Sequence, residues 1–266
     1  MSDLLSHAEA VWQAVVPTLP GFTVEVLPSI DSTSSELMRR ARSGLMEPVL
    51  LAAEDQTAGR GRLGKGWHSR PDQSLTFSLA LPLAPVNWAG LSLAVGVSLA
   101  SSLHPDIRLK WPNDLWLHQR KIGGILVETA STGEAPAGQR MVVIGVGINV
   151  ARPEASVVAA LLPDGAGVTA MAPAGLAEVL VGITPGEVLE RVAAPLVQDV
   201  LAFATQGFPA FAQRFARLDA LQGHTVQLSD GTRGTACGVD DSGALQVLTA
   251  QGMQAVTSAE VSVRPC

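Results

Sequence analysis

The chain has 266 residues, 47% hydrophobic and only 16% charged, with a net charge of −6 and a pI near 5.3. That much apolar material can bury a large core and excludes wholesale disorder. The acidic balance excludes a global basic footprint for nucleic acid, so any anion site must be a local concentration of positive charge.

The first predicted element is an amphipathic helix over residues 3–16, with Leu4, Leu5, Ala8, Val11, Trp12 and Val15 on one face. FTVEVL (22–27) alternates and reads as a strand. A helix is expected next, opened by a capping box from Thr33 to Glu36 and closed by Gly44. VLLAAED (49–55) and SLTFSLALP (74–82) read as strands, and residues 87–103 have helical periodicity. IRLKW (107–111) is strand-like, and LWLHQRKIGGILVET predicts two strands joined at His118–Lys121. After the polar loop STGEAPAGQ comes MVVIGVGINV, a β-branched strand. Residues 151–182 are Ala/Pro/Gly-rich and give no clear element. A helix from Thr184 follows, with its own capping box to Glu187 and Pro185 at the first helical position, and then a helix through FAQRFARLDAL. Beyond Gly223 short strands break at Asp230–Gly231, Ser242–Gly243 and Gln251–Gly252, the texture of a small antiparallel barrel. Hairpins outnumber regular βαβ units, so the class is α+β, with a domain boundary expected between 1–220 and 221–266.

Cys237 and Cys266 fit neither a disulfide framework nor a metal quartet, and the five histidines lack metal-ligand spacing. The N-terminus does not read as a signal peptide, and no apolar run has the length to span a membrane. A cytoplasmic protein without a membrane partner is expected.

The densest cluster of charge is GRGRLGKGWH (59–68). It satisfies G-x-G-x-x-G, but GWHSRPDQS follows with no helical period, so it opens no dinucleotide-binding helix. It misses a Walker A loop because Gly66 stands where Ser or Thr must hold magnesium, and neither HRD nor DFG supports a kinase glycine loop. The alternatives left are a solvated turn and an anion-binding loop. A solvated turn is the usual reading of an isolated loop of this kind. Against it, cations this close repel unless an anion fills the gap, and glycines let backbone amides curl around phosphate oxygens, so that in the second alternative a phosphate-bearing ligand would order the loop.

Five stretches in order, DSTSS (31–35), EDQTAGRGRLGKGW (54–67), KWPND (110–114), KIGGILVE (121–128) and GVGINV (145–150), resemble the biotin–protein ligase family. The resemblance covers most of residues 30–150, and the late strands resemble that family's C-terminal domain. It implies a class II synthetase-like catalytic fold followed by an SH3-like barrel, and a two-step reaction. Biotin and magnesium-ATP form biotinyl-5′-AMP, and a lysine of a biotin carboxyl carrier domain then takes the biotin and releases AMP. Carried over by position, Ser32, Thr33, Ser34 and Gln56 would bind biotin. Ser34 replaces the family's usual asparagine. Arg60, Gly61 and Arg62 would lie over the biotin carboxyl and the adenylate phosphate, with Lys65, where the family often has arginine, as a weaker phosphate contact. Lys121 is the first choice for catalysis, and Gly123 and Gly124 would permit close approach of ligand. Asn113, Asn149 and Trp67 would meet the nucleotide, and Asp114 the metal or the incoming lysine. Trp111 is expected in the core.

Lipoate–protein ligase shares the implied fold and adenylation logic and is the nearest rival. A DNA-binding repressor is the rival of a different class. It is disfavoured because only some thirty residues precede DSTSS and no basic recognition helix is visible. A pure binding module built on the terminal barrel is the third. The family often associates edge to edge as a homodimer, which these residues do not establish.

Overall fold

The computed structural model describes residues 2–131, 138–154, 172–257 and 263–265. Most of the 131–139 loop, the middle of the 151–182 segment and Cys266 therefore lie outside the described residues. Helix α1 (Asp3–Val15) leads into β1 (Thr23–Ile30), α2 (Thr33–Arg42) and β2 (Val49–Gln56). The glycine–arginine stretch forms a miniature hairpin, β3 (Gly59–Arg60) and β4 (Gly66–Trp67), around a single 3-10 turn, Arg62–Gly64. Next come β5 (Ser74–Leu83), α3 (Leu91–Leu103), β6 (Ile107–Lys110), β7 (Asp114–Leu117), β8 (Arg120–Ala130) and β9 (Arg140–Asn149). Helices α4 (Pro185–Gln206) and α5 (Pro209–Leu218) precede the strands β10 (Thr225–Leu228), β11 (Arg233–Val239), β12 (Leu245–Thr249), β13 (Gly252–Val256) and β14 (Val263–Pro265). The α+β expectation holds.

The main sheet has seven strands in the order β1-β2-β5-β9-β8-β7-β6. Neighbours run antiparallel except for the parallel β1–β2 pair. Side chains alternate between its faces, and the two faces have different fates. Leu50, Ala52, Phe77, Leu79, Val142, Ile144, Val146 and Ile148 pack with α1, α3, α4 and α5 in the large core. On the opposite face α2 is the one helix among the described residues that lies over the sheet, and Leu37, Met38 and Ala41 meet Val49, Leu51, Ala80, Met141 and Val143. This second cluster ends abruptly. Further along the same face β9 continues from Val143 to Gly145 and Gly147, and β5 from Ala80 to Ser78 and Thr76. Apolar side chains give way to glycines and hydroxyls, and there, past the start of α2, no helix among the described residues packs on the sheet.

Local expectations hold with corrections. The Thr33–Glu36 capping box does not form. Ser32, one residue earlier, is the cap, and its hydroxyl accepts from Ser35 N at 3.3 Å. Glu36 turns to Arg39 and Arg40 instead. In α1, Leu5 and Trp12 are about half exposed and only Leu4, Val11 and Val15 reach the core. The 87–103 helix starts at Leu91 and is buried along most of its surface, with Ser101 exposed, as expected of an apolar helix without a polar face. The hairpin turn is confined to His118–Gln119, so Lys121 belongs to β8 and not to the turn. The Thr184–Glu187 capping box forms as expected. The last five strands make an antiparallel sheet in the order β13-β12-β11-β10-β14. Trp111 is fully buried, as expected, and its Nε1 donates to Gly243 O in the turn between β11 and β12 at 3.0 Å.

Candidate active site

The glycine-bearing part of the α2 face is the floor of a cavity of about 190 Å³. Gly145 and Gly147 lie two residues apart on β9, and Gly124 of β8 is the direct register partner of Gly147, so all three face the cavity. A side chain on this floor would displace what stands above it. A Cβ at Gly145 would run into the Ser34 hydroxyl, one at Gly147 into the Trp67 ring, and one at Gly124 would touch Lys121 Nζ at 3.3 Å. The glycines therefore permit close approach to backbone, which a flat ligand requires.

One end of the cavity is a relay of hydroxyls. Thr33 N and Oγ1 both donate to Gln56 Oε1, at 2.8 and 3.1 Å. Thr33 Oγ1 lies 2.8 Å from Ser78 Oγ, which lies 2.9 Å from Ser34 Oγ. Each hydroxyl has one proton, and Thr33 gives its own to Gln56. Ser78 must then donate to Thr33, and Ser34 to Ser78. The direction of the relay leaves the Ser34 oxygen as an acceptor at the cavity wall. Ser78 is completely buried and holds both α2 residues against the sheet.

The other end is cationic. The residues lining the cavity include the cations Arg60, Arg62, Lys65, Lys110 and Lys121 and a single carboxylate, Asp114. Lys121 Nζ is 2.7 Å from Asp114 Oδ1, and Lys110 Nζ is 3.8 Å from Oδ2 and 5.4 Å from the centre of the Trp116 ring. A bulge aims Lys121 here. Leu115 pairs with Gly123 but Trp116 pairs with Lys121, so Ile122 is an extra residue that resets the alternation of β8. Arg62 Nη1 donates to Asn113 Oδ1 at 3.1 Å. The orientation of that amide is set by Nδ2 donating to Ile125 O at 2.9 Å. Burial pulls the Arg62 pKa down and the Asp114 charge partly opposes this; a guanidinium stays charged regardless. So many cations in one recess repel until an anion enters.

Every expected site residue except Gly123 and Asn149 lines this cavity. Gly123 points to the opposite face, against Leu115, because adjacent strand residues alternate. Asn149 shares the face of Gly147 but lies beyond it, where its Nδ2 donates to Ala174 O at 3.3 Å. Arg60 lines the cavity yet its guanidinium goes to Glu128, at 2.8 Å. Thr33 does not cap its helix; it serves the relay. The sequence reading missed Lys110, Ser78, Gly145 and Gly147. Their signal was available in the alternation of SLTFSLALP and MVVIGVGINV and in the first letter of KWPND. As for a metal on Asp114, the described residues contain no group of three His, Cys, Asp or Glu that could hold an ion. Two lysines already compensate that carboxylate.

A polar recess and a cation-rich mouth over one bare floor define a site for a small molecule with a neutral polar head and an anionic tail, as a carboxylate-activating ligase needs. Residues 26–149 match the biotin/lipoate A/B protein ligase family and residues 225–264 the biotin protein ligase C-terminal domain. The chain is 36% identical over 249 residues to the bifunctional ligase/repressor BirA of Escherichia coli, a match covering 87% of this chain and 71% of that protein. It is 31% identical over 250 residues to the biotin–[acetyl-CoA-carboxylase] ligase of Paracoccus denitrificans, covering 89% and 98%. Among solved structures, the biotin protein ligase of Aquifex aeolicus in complex with biotin and ATP superimposes with a TM-score of 0.71 at 27% identity, covering 91% of this chain and 99% of that one. The chain belongs to the biotin–protein ligase family. It is a ligase enzyme, and among the described residues no helix is long and apolar enough to cross a membrane.

Proposed function

We propose that this protein activates biotin as biotinyl-5′-AMP and transfers the biotin to a lysine of a biotin carboxyl carrier domain, in the cytoplasm. The observation that carries this reading is the pairing, on one glycine floor, of an acceptor-ended hydroxyl relay with four cations, Arg62, Lys65, Lys110 and Lys121, around one carboxylate. The ureido head of biotin presents N–H donors, which the Ser34 oxygen can accept. The acyl tail would run over Gly145 and Gly147 toward the cations.

In the first step a biotin carboxylate oxygen attacks the α-phosphorus of ATP, and pyrophosphate leaves. Both reactants are anions, so the mouth must offset their repulsion. Arg62, Lys110 and Lys121 supply that charge from positions fixed by Asn113 and Asp114, which is worth most where water is excluded, and the exposed Lys65 adds a further cation at the rim. Asp114 holds the Lys121 ammonium in place. Trp67, with its indole Nε1 buried and without a partner among the described residues, is a candidate neighbour of the nucleotide, as are Asn113 and Asn149. Magnesium is read as arriving on the ATP phosphates rather than on a protein carboxylate cage. In the second step the carrier lysine attacks the acyl carbon, AMP departs with the bonding pair, and the amine loses a proton. Residues 1–220 would form a class II synthetase-like catalytic domain and residues 221–266 an SH3-like barrel.

The test is ATP–pyrophosphate exchange with purified protein, run with biotin, with lipoate and with neither. Exchange that depends on biotin is the expected result. Exchange with lipoate alone would keep the mechanism and change the substrate, and no exchange would overturn the reading.

A further inference from the structure

The hairpin that roofs the cavity is too short to hold itself. β3 and β4 pair through Gly59 with Trp67 and Arg60 with Gly66, and one further backbone bond, Gly61 N to Lys65 O at 2.7 Å, closes the turn. Even a full-length isolated two-stranded ribbon is marginal in water. Its position has to come from contacts with the rest of the fold. One such contact spans 68 residues of sequence: Arg60 Nη2 donates to Glu128 Oε1 at 2.8 Å, while Nη1 donates to Ser35 Oγ at 3.3 Å. Glu128 stands on β8, two steps from Leu126 and four from Gly124, on the face that carries the cavity floor. Its side chain is only 22% exposed, and its second oxygen, Oε2, is buried with no hydrogen-bond partner among the described residues. A carboxylate in that setting is costly unless a cation compensates it. Arg60 is that cation.

We propose that Glu128 is a positioning residue. It holds Arg60 as a strut, seats the β3–β4 hairpin, and so aims Arg62, Lys65 and Trp67 into the cavity. Arg60 is thereby neutralised by the protein, and Arg62, whose guanidinium meets the neutral amide of Asn113, is the arginine that faces the anion. The proposal deepens the ligase reading, and its activity readout rests on that reading.

The experiment compares Glu128→Ala, Glu128→Gln, Arg60→Ala and the double alanine variant. Biotin KM and kcat are measured by ATP–pyrophosphate exchange, and the rate of trypsin cleavage after Arg62 or Lys65 is measured without substrates. Glu128→Ala is expected to raise KM and loop cleavage about fivefold, the upper range for a partly exposed ion pair, with a smaller change in kcat. Glu128→Gln, which keeps an acceptor oxygen, should fall between it and wild type. Arg60→Ala should add nothing in the Glu128→Ala background, since the strut has already lost its footing. The proposal is overturned if Glu128→Ala leaves KM and cleavage unchanged. It is equally overturned if Arg60→Ala costs as much without Glu128 as with it, which would make Arg60 a direct substrate ligand. Should Glu128→Ala not fold, the Glu128→Gln variant decides by the same two readouts. Wild type lacking biotin-dependent exchange would remove the ligase reading, and the cleavage comparison would still decide the strut.

Discussion

Gly147→Ala tests whether the bare floor is what makes the cavity work. The glycine lies in a regular stretch of β9, so an alanine backbone is accommodated there. The added Cβ, however, would lie 2.6 Å from Trp67 Cζ2 and 2.8 Å from Cδ2, where ordinary contact between carbons begins near ~3.5 Å. The ring must retreat by about 1 Å, and because Trp67 ends β4 it takes the roof of the site with it. A shift of about 1 Å in groups that position a reaction costs on the order of 100-fold in rate. Stability should suffer less, because a two-residue hairpin at the surface can lift where a core cannot. About 1 kcal/mol is expected, the low end for overpacking, equivalent to a Tm lower by about 2–4 °C. Gly124→Ala is the internal control. Its Cβ would lie 3.3 Å from Lys121 Nζ and 3.8 Å from Asp114 Oδ1, a contact that a shift of a few tenths of an ångström relieves while the Lys121–Asp114 pair stays together, so turnover should stay within about tenfold of wild type. Biotin-dependent ATP–pyrophosphate exchange and thermal denaturation, measured on both variants, give the answer. Gly147→Ala with turnover equal to that of Gly124→Ala would refute the argument that these glycines exist to keep the floor bare.

Lys121→Ala removes the ammonium bound at 2.7 Å to Asp114. Adenylate formation should drop by about 100- to 1,000-fold with an unchanged far-ultraviolet spectrum, and a variant with normal exchange would end its catalytic assignment. Arg62→Gly takes away the cation bonded to Asn113, and biotinyl-5′-AMP should leave the enzyme at least about tenfold faster, followed by filtration of the preformed complex; retention as long as wild type would contradict it. Asp219 is different in kind. Burial raises its pKa above the ordinary 3.8, so the folded state holds this proton more tightly than the unfolded state. Stability therefore falls as pH climbs from that ordinary value through the raised one. Asp219→Asn keeps an oxygen for the Leu221 N–H and should raise Tm at pH 7 but not at pH 3, whereas equal shifts at both pH values would exclude titration as the cause.

Much of the fold was readable because its signals are local. The Thr184 helix start, the β-branched run into Asn149 and the glycine-punctuated strands after 223 rest on neighbours a few residues apart, and the structure keeps them. The misreadings occur where a distant partner decides. In DSTSS any of four hydroxyls can cap a helix. Ser32 does so because Thr33 is claimed by Gln56, 23 residues away, and by Ser78, 45 residues away. Trp12 fits the apolar face of α1 by period, but it stays half exposed while its Nε1 donates to Phe22 O. No pattern within either segment contains the Arg60–Glu128 pair, which exists only after β8 is laid into the sheet.

The paired glycines of KIGGILVE show how sequence and geometry divide the work. Strand alternation allows only one of Gly123 and Gly124 to face the cavity, and alternation alone would send Lys121 to the same side as Gly123, into the apolar core. A lysine cannot sit there unpaired. The extra residue at Ile122 resolves the conflict: Ile122 fills the core, completely buried, while Lys121 crosses to the face of Asp114 and Gly124. A bulge beside a reactive group is a common way to re-aim one side chain without moving the strand. Here it puts the ammonium over the one stretch of floor that has no side chains of its own. The dense positive knot in an acidic protein follows from the same arrangement, since a floor stripped of side chains has to be served from its rim. The hairpin supplies Arg62 and Lys65 from above, β6 supplies Lys110, and β8 supplies Lys121.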